Sequence, residues 1–201
     1  VETLINILQN VETRYLNLDT TERKEFFYKV RRRYNEMRHS IRQDKYDEVW
    51  ASRTAALIFL NKTCFNGLFR VNSKGEFNVP FGRYKNPKIL RDSVLRDDSI
   101  LLENTTIHLG DFSDCTQWVD EETFVYFDPP YRPLSRTSNF TSYSKDRFGD
   151  DDQRRLAEIF RKLDSRGAKL MLSNSDPKNE DPDDHFFEDL YTGYHIDRVP
   201  A

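Results

Sequence analysis

The chain has 201 residues, 32% of them charged and 37% hydrophobic, with a formal net charge of −3. That gives one or two globular domains with a real core, while no stretch approaches the roughly 18 apolar residues of a membrane span and no secretory signal pattern opens the chain. Cys64 and Cys115, and the histidines at 39, 108, 185 and 195, have no spacing that suits a metal site, so neither a zinc centre nor a disulfide scaffold is expected.

In chain order, Leu4, Ile5, Leu8, Val11 and Tyr15 fall at three- and four-residue spacing and predict an amphipathic helix over 1–17. Asp19 with Glu22 reads as a capping pair that opens a second helix. Its Phe26, Phe27, Val30, Tyr34 and Met37 face inward, and Arg31, Arg32, Arg33 and Arg38 lie on the other face. Asp44 precedes a third helical run through Val49, Trp50, Ala55, Ala56 and Leu60. Extended runs at 65–71 and 76–81 flank the turn Asn72-Ser73-Lys74-Gly75 and predict a β-hairpin, Gly75 being free to take a positive φ. Pro87 and Asp92 open a helical stretch through Val94, Leu95, Ile100 and Leu101.

From there the pattern becomes α/β. Strands are predicted at 105–109, 123–127, 168–172 and 194–199, with a helix capped by Asp150 and Gln153 running through Leu156, Ile159, Phe160 and Leu163. Asp150-Asp151-Asp152 reads as that helix's acidic first turn rather than a metal cluster. Trp50, Trp118, Phe186 and Phe187 are expected in the core. Alternating strands and helices imply a parallel sheet with ligands at the strands' carboxyl ends.

The strand at 123–127 runs into Asp128-Pro129-Pro130-Tyr131. Two prolines remove two backbone donors and fix two φ angles, leaving a rigid corner with one carboxylate, a fixed carbonyl and an aromatic face. Such a corner suits an exocyclic amino group on a base. Two acceptors take its hydrogens and draw the nitrogen towards tetrahedral geometry, and the ring of Tyr131 stacks on a base flipped out of its duplex. Catalysis of this kind is positioning plus hydrogen bonding, with no metal. Separately, residues 53–96 hold nine Lys and Arg against two Asp and Glu, whereas 97–201 hold 12 against 23. A basic block inside an acidic chain suits a polyanion.

With its tail to Tyr143, the Asp-Pro-Pro-Tyr motif resembles that of the Dam group of adenine-specific DNA N6-methyltransferases. The segments Phe59-Leu60-Asn61-Lys62-Thr63-Cys64-Phe65-Asn66-Gly67-Leu68-Phe69-Arg70 and Gly75-Glu76-Phe77-Asn78-Val79-Pro80-Phe81-Gly82-Arg83-Tyr84 are similar to that group's DNA-recognition hairpin. The resemblance implies a Rossmann-like class I methyltransferase sheet, incomplete here, with an inserted α-helical DNA-recognition domain bearing the hairpin. Residues 1–100 would be the recognition domain and 101–201 the carboxyl-terminal part of the catalytic domain. It implies S-adenosylmethionine as methyl donor and double-stranded DNA as partner, with adenine in GATC as the target. A monomer in the cytoplasm of a prokaryote, or from a phage, is expected, with a restriction endonuclease as partner at the level of the system.

The same resemblance assigns residues. Asp128 and the Pro129 carbonyl accept from adenine N6, Pro130 stiffens the turn and Tyr131 stacks. Arg70 reads guanine through O6 and N7, Leu68 and Pro80 touch the outer base pairs, and Phe65 and Asn66 wedge into the stack. Lys62, Asn78 and Arg83 contact phosphates, Tyr84 joins the DNA-binding set, and Ser135 and Thr137 touch the backbone near the flipped base. Asp111 and Phe112 line the cofactor's adenine pocket, with Asp128 beside it; Arg31, Arg32 and Arg33 are weaker candidates for phosphate. The family's Gly-rich cofactor loop has no counterpart, since no glycine precedes Gly67. The chain is therefore expected to be the middle of a longer enzyme. The alternative is a DNA-recognition fragment or binding module without catalysis.

Overall fold

The computed structural model describes residues 1–41, 46–132 and 148–199. The chain divides into two compact units, one over Val1–Ile107 and one that begins at His108.

In the first unit, α1 (Glu2–Leu16), α2 (Thr20–Glu36) and α3 (Glu48–Thr63) pack around one core. The predicted capping box opens α2: the Asp19 carboxylate accepts from Thr21 and Glu22 N–H, and Glu22 accepts from Asp19 N–H. Arg23 closes α1 by donating to the Tyr15 and Leu16 carbonyls of its last turn. Phe59 of α3 is fully buried and meets Tyr15 and Phe26 edge-on at 5.2 and 5.5 Å. The third helix is capped by Asp47, whose carboxylate accepts from Val49 and Trp50 N–H; Asp44 lies outside the described residues. Glu12 of α1 accepts from Ile89 and Leu90 N–H and so seats the buried segment before α4 (Asp92–Leu102). On α4 only Leu95 packs against the core; Val94, Ile100 and Leu101 are exposed.

The hairpin exists as an antiparallel loop, not as two continuous strands. Its arms meet at the bridges Val71↔Phe77 and Cys64↔Phe81. Gly75 takes φ +73 in the turn, as expected. Two features break the ladder. Phe65–Gly67 forms a 3-10 turn with Asn66 at φ 53, and α2 takes the backbone groups of the second arm. Asn35 both donates to the Phe77 carbonyl and accepts from Phe77 N–H, while Arg31 donates to the Val79 carbonyl. A backbone group satisfied by a side chain has no need of a strand partner.

In the second unit, β1 (Phe124–Phe127) and β2 (Lys169–Leu172) form a two-stranded parallel sheet joined through α5 (Asp150–Asp164). Val125, Phe127, Leu170 and Leu172 face α5, whose Leu156, Ala157, Phe160 and Leu163 are buried, and α6 (Phe186–Leu190) adds Phe187. Phe124, Tyr126 and Met171 on the opposite face are exposed. The unit is mixed α/β with a small parallel sheet, as the alternating pattern implied. The segments 105–109 and 194–199 are not strands. No neighbouring strand pairs with either among the described residues, and Ile107, Leu109 and Val199 are among the most exposed apolar side chains. An extended run becomes a strand only through a ladder partner. Trp118 is also outside the core, half exposed and stacked on His108 with centroids 3.9 Å apart.

Glu188 of α6 pairs with Lys178 at 2.8 Å and with Arg198, and these cations hold its carboxyl down at about 2, Lys178 contributing most. A carboxyl whose folded pKa lies below its ordinary 4.5 stabilises the fold fully above that value and loses the contribution as pH falls towards about 2. Urea unfolding should therefore show this unit weakening between about pH 5 and about pH 2.5, with a shallower decline in Glu188→Gln. Equal slopes for the two proteins would contradict the assignment.

Candidate functional site

Asp128-Pro129-Pro130-Tyr131 leaves the carboxyl end of β1, where a parallel sheet presents ligand-binding groups. Asp128 and Tyr131 are exposed. The register Phe124↔Lys169 to Phe127↔Leu172 continues one step, since Ser173 N–H donates to the Phe127 carbonyl at 3.0 Å. Ser173 Oγ donates to Asp128 Oδ1 at 2.7 Å and accepts from the Tyr126 hydroxyl at 3.0 Å. Among the described residues, Asp128 Oδ2 and the Pro129 carbonyl accept no protein hydrogen bond. Two acceptors at the end of one strand are thus left for a ligand.

The turn after the prolines is held by a pair of side-chain amides, Gln153 and Asn174. Gln153 of α5, fully buried, donates to the Pro130 carbonyl at 3.2 Å and accepts from Asn174 at 3.2 Å. Asn174 Oδ1 accepts from Arg132 N–H at 3.0 Å, and Ser175 Oγ donates to the Arg132 carbonyl at 2.7 Å. The Arg132 guanidinium reaches Asp150 at 2.9 Å and Asp184 at 2.6 Å and lies 4.3 Å from the Phe186 ring centroid. Asp150 first, then Asp184, drives the Arg132 pKa upward against its partial burial. A charge-assisted fork of this kind fixes the chain that enters and leaves the motif.

The predicted cap of α5 is thereby corrected. Gly149 N–H donates to Asp152 Oδ2, while Asp150 serves Arg132 and Gln153 serves Pro130. A long-range partner claimed both side chains. Gln153, Ser173 and Asn174 are site residues that sequence reasoning passed over. Their signal was their place: 173 and 174 directly follow the second predicted strand, at the same end as Asp128.

Asp111 accepts from Ser113 N–H and from both Nη atoms of Arg155, at 2.9 and 3.0 Å. The Ser113 hydroxyl, then Arg155, hold its carboxyl down at about 2. Phe112 is half-buried, with the Arg155 guanidinium 4.3 Å from its ring centroid and Phe148 against it. An ionised carboxylate has about four acceptor positions; Ser113 N–H, the Ser113 hydroxyl and the two Arg155 Nη atoms already use them, so a ligand's hydroxyl or amine has to displace one of these. The Arg155 guanidinium and the Phe148 ring cover part of the half-buried Phe112 ring.

In the first unit, Lys62 in the last turn of α3 is exposed, as are Phe65, Asn66, Leu68, Arg70 and Pro80 along the antiparallel loop and Arg83 and Tyr84 just after it, and Asn78 is half-buried. Phe65, Asn66, Arg83 and Tyr84 line a depression of about 330 Å³ together with Phe81 and Gly82. Arg70 Nε donates to Asn78 Oδ1 at 2.8 Å, and Asn78 N–H donates to the Arg70 carbonyl at 3.1 Å. Both Nη atoms of Arg70 therefore remain for a ligand among the described residues. Arg31 is partly spent on the Val79 carbonyl and lies 4.7 Å from the Tyr28 ring centroid. The predicted contacts Ser135 and Thr137 lie outside the described residues. Among the described residues no cluster of His, Cys, Asp and Glu could hold a metal ion, and no helix is long and apolar enough to cross a membrane.

Residues 1–201 match the family model described as D12 class N6 adenine-specific DNA methyltransferase. The chain is 55% identical over all 201 of its residues to the type II methyltransferase M.MjaIII of Methanocaldococcus jannaschii, of which it covers 65%. It is 42% identical over 171 residues to the type II methyltransferase M1.LlaDCHI of Lactococcus lactis, covering 84% of this chain and 58% of that one. It is 35% identical over 163 residues to the DNA adenine methylase of Escherichia coli K12, covering 81% of this chain and 55% of that one. The chain thus spans between 55% and 65% of the length of these relatives.

Proposed function

Because the chain belongs to the D12 class of N6 adenine-specific DNA methyltransferases, we propose that its protein transfers a methyl group from S-adenosylmethionine to N6 of an adenine flipped out of duplex DNA, in the sequence GATC. The observation that carries the chemistry is a pair of acceptors at the end of β1, Asp128 Oδ2 and the Pro129 carbonyl, that take no hydrogen bond from any of the described residues. The adenine amino nitrogen is a poor nucleophile, since its lone pair is delocalised into the ring. Two acceptors that take its hydrogens favour a pyramidal nitrogen and free that lone pair for attack. They do so without reorganising, because the turn that holds them is pinned by Gln153, Asn174 and Arg132. Tyr131, exposed beside them, offers its ring face to the base. When bound, the cofactor supplies an electrophilic methyl on a sulfonium. Asp111 is the acceptor here that the resemblance assigns to its adenosyl moiety, in exchange for one of its present donors, Ser113 or Arg155.

We assign residues 1–100 to an inserted recognition domain and 101–201 to the carboxyl-terminal part of a Rossmann-like catalytic domain. The basic loop around Arg70 supports the first assignment, and the parallel β1–α5–β2 unit supports the second. Double-stranded DNA is the partner and a monomer the acting species. GATC rests on the loop's resemblance to the Dam hairpin and on the DNA adenine methylase relatives.

DNA exposed to the native gene product and labelled S-adenosylmethionine should resist endonucleases that cut only unmethylated GATC and become sensitive to those that cut only methylated GATC. Label on adenine without that change would overturn the sequence assignment. DNA binding with no label incorporated would leave a recognition module in place of the enzyme.

A further inference from the structure

We propose that Ser173, which lies outside the Asp-Pro-Pro-Tyr motif, orients the Asp128 carboxylate for the substrate amine, and that Tyr126 in turn holds Ser173. This rests on the amino-methylation reading above. The sheet register makes the arrangement inevitable. The offset that pairs Phe124 with Lys169 and Phe127 with Leu172 brings Asp128 beside Ser173 one step further on. Tyr126 and Asp128, two residues apart in an extended chain, project to the same face. Three polar groups therefore stand in a row at the carboxyl end of two adjacent strands, with Ser173 Oγ 2.7 Å from Asp128 Oδ1 and 3.0 Å from the Tyr126 hydroxyl.

The direction of the two bonds follows from the inventory of protons. An ionised carboxylate only accepts, so the single hydroxyl proton of Ser173 goes to Asp128, and the bond to Tyr126 is then donated by the tyrosine. The terminal torsion of an aspartate is broad and nearly two-fold, and an exposed carboxylate with no partner would turn freely. A charge-assisted bond at Oδ1 removes that freedom and leaves Oδ2 without a partner among the described residues. In effect, one carboxylate oxygen is spent on the protein so that the other is preset for the amine. Ser173 is a positioning residue, since it reaches the substrate only through Asp128.

The test uses the native gene product with Ser173→Ala, Ser173→Thr and Tyr126→Phe, and Asp128→Ala as reference. Three quantities are measured: the single-turnover rate of methyl transfer, the affinity for a GATC duplex, and the fluorescence of 2-aminopurine placed at the target adenine, which reports a base leaving the stack. Ser173→Ala should slow methyl transfer about tenfold with affinity and fluorescence unchanged, Ser173→Thr should recover all but about threefold, and Tyr126→Phe should cost about twofold to threefold. A native rate in Ser173→Ala, with Asp128→Ala inactive, would overturn the inference and leave the functional reading standing. Loss of affinity or of the fluorescence change in Ser173→Ala would mean a structural role and also overturn it. Full turnover in Asp128→Ala would overturn the functional reading itself.

Discussion

Asp128→Ala should reduce methyl transfer by about a hundredfold to a thousandfold or more while leaving DNA affinity close to native. The side chain is exposed at the end of β1, and its protein contact is the Ser173 hydroxyl, which water can replace. A substitution there has no cavity to open and no buried charge to strand, so the fold should keep its stability. The chemistry has no such substitute. Without the carboxylate, one amino hydrogen loses its acceptor, the nitrogen stays planar and conjugated, and only the Pro129 carbonyl remains. Asp128→Asn separates shape from charge, since it can keep one oxygen in place but brings a donor to the site; its rate should fall between the two. Incorporation of labelled methyl groups, with mobility-shift titration and thermal unfolding alongside, reads all three properties. Turnover retained in Asp128→Ala would contradict the role given to the motif. Turnover and binding lost together with a lowered melting temperature would make Asp128 a structural residue.

What the sequence could reveal follows from how local each determinant is. The α1 stripe, the Asp19–Glu22 box and the strand that runs into Asp128 are written within a few residues of themselves, and each forms where expected. Segments 105–109 and 194–199 carry the right residue types for strands, but a strand is completed by a neighbour that the segment does not encode. The hairpin arms show the same limit: Asn35 and Arg31, more than forty positions away in sequence, take the backbone groups that a ladder would use. Asp150 and Gln153 fit a capping template by spacing, yet Arg132 and the Pro130 carbonyl claim them across 18 and 23 residues. At the candidate site the motif itself was legible because its prolines and its strand are contiguous. Its supports were not, apart from the rule that strands in a parallel sheet end together. That rule places Ser173 and Asn174 beside Asp128 once both strands are assigned.

Arg70→Ala is the corresponding test of the recognition loop, with an expected loss of roughly 1–3 kcal/mol in affinity for the cognate duplex and relaxed discrimination at one base pair. The bond from Nε to Asn78 uses one edge of the guanidinium and fixes its plane. The two Nη atoms, without a partner among the described residues, form a fork that matches O6 and N7 of guanine in the major groove. Arg70→Lys should not restore the discrimination, because an ammonium is a point charge without that fork. Asn78→Ala should weaken discrimination less than Arg70→Ala, since it frees the guanidinium without removing it. Lys62, in the last turn of α3, and Arg83, just after the loop, are the contrast: each is exposed and is read as a phosphate contact. Alanine at either should weaken binding alike on all sequences and lower the salt dependence by about one counterion. Binding titrations on duplexes that vary each base of GATC, repeated at several salt concentrations, separate the two behaviours. A uniform loss in Arg70→Ala, with the sequence preference intact, would move Arg70 into the phosphate class and leave the guanine to be read by another residue.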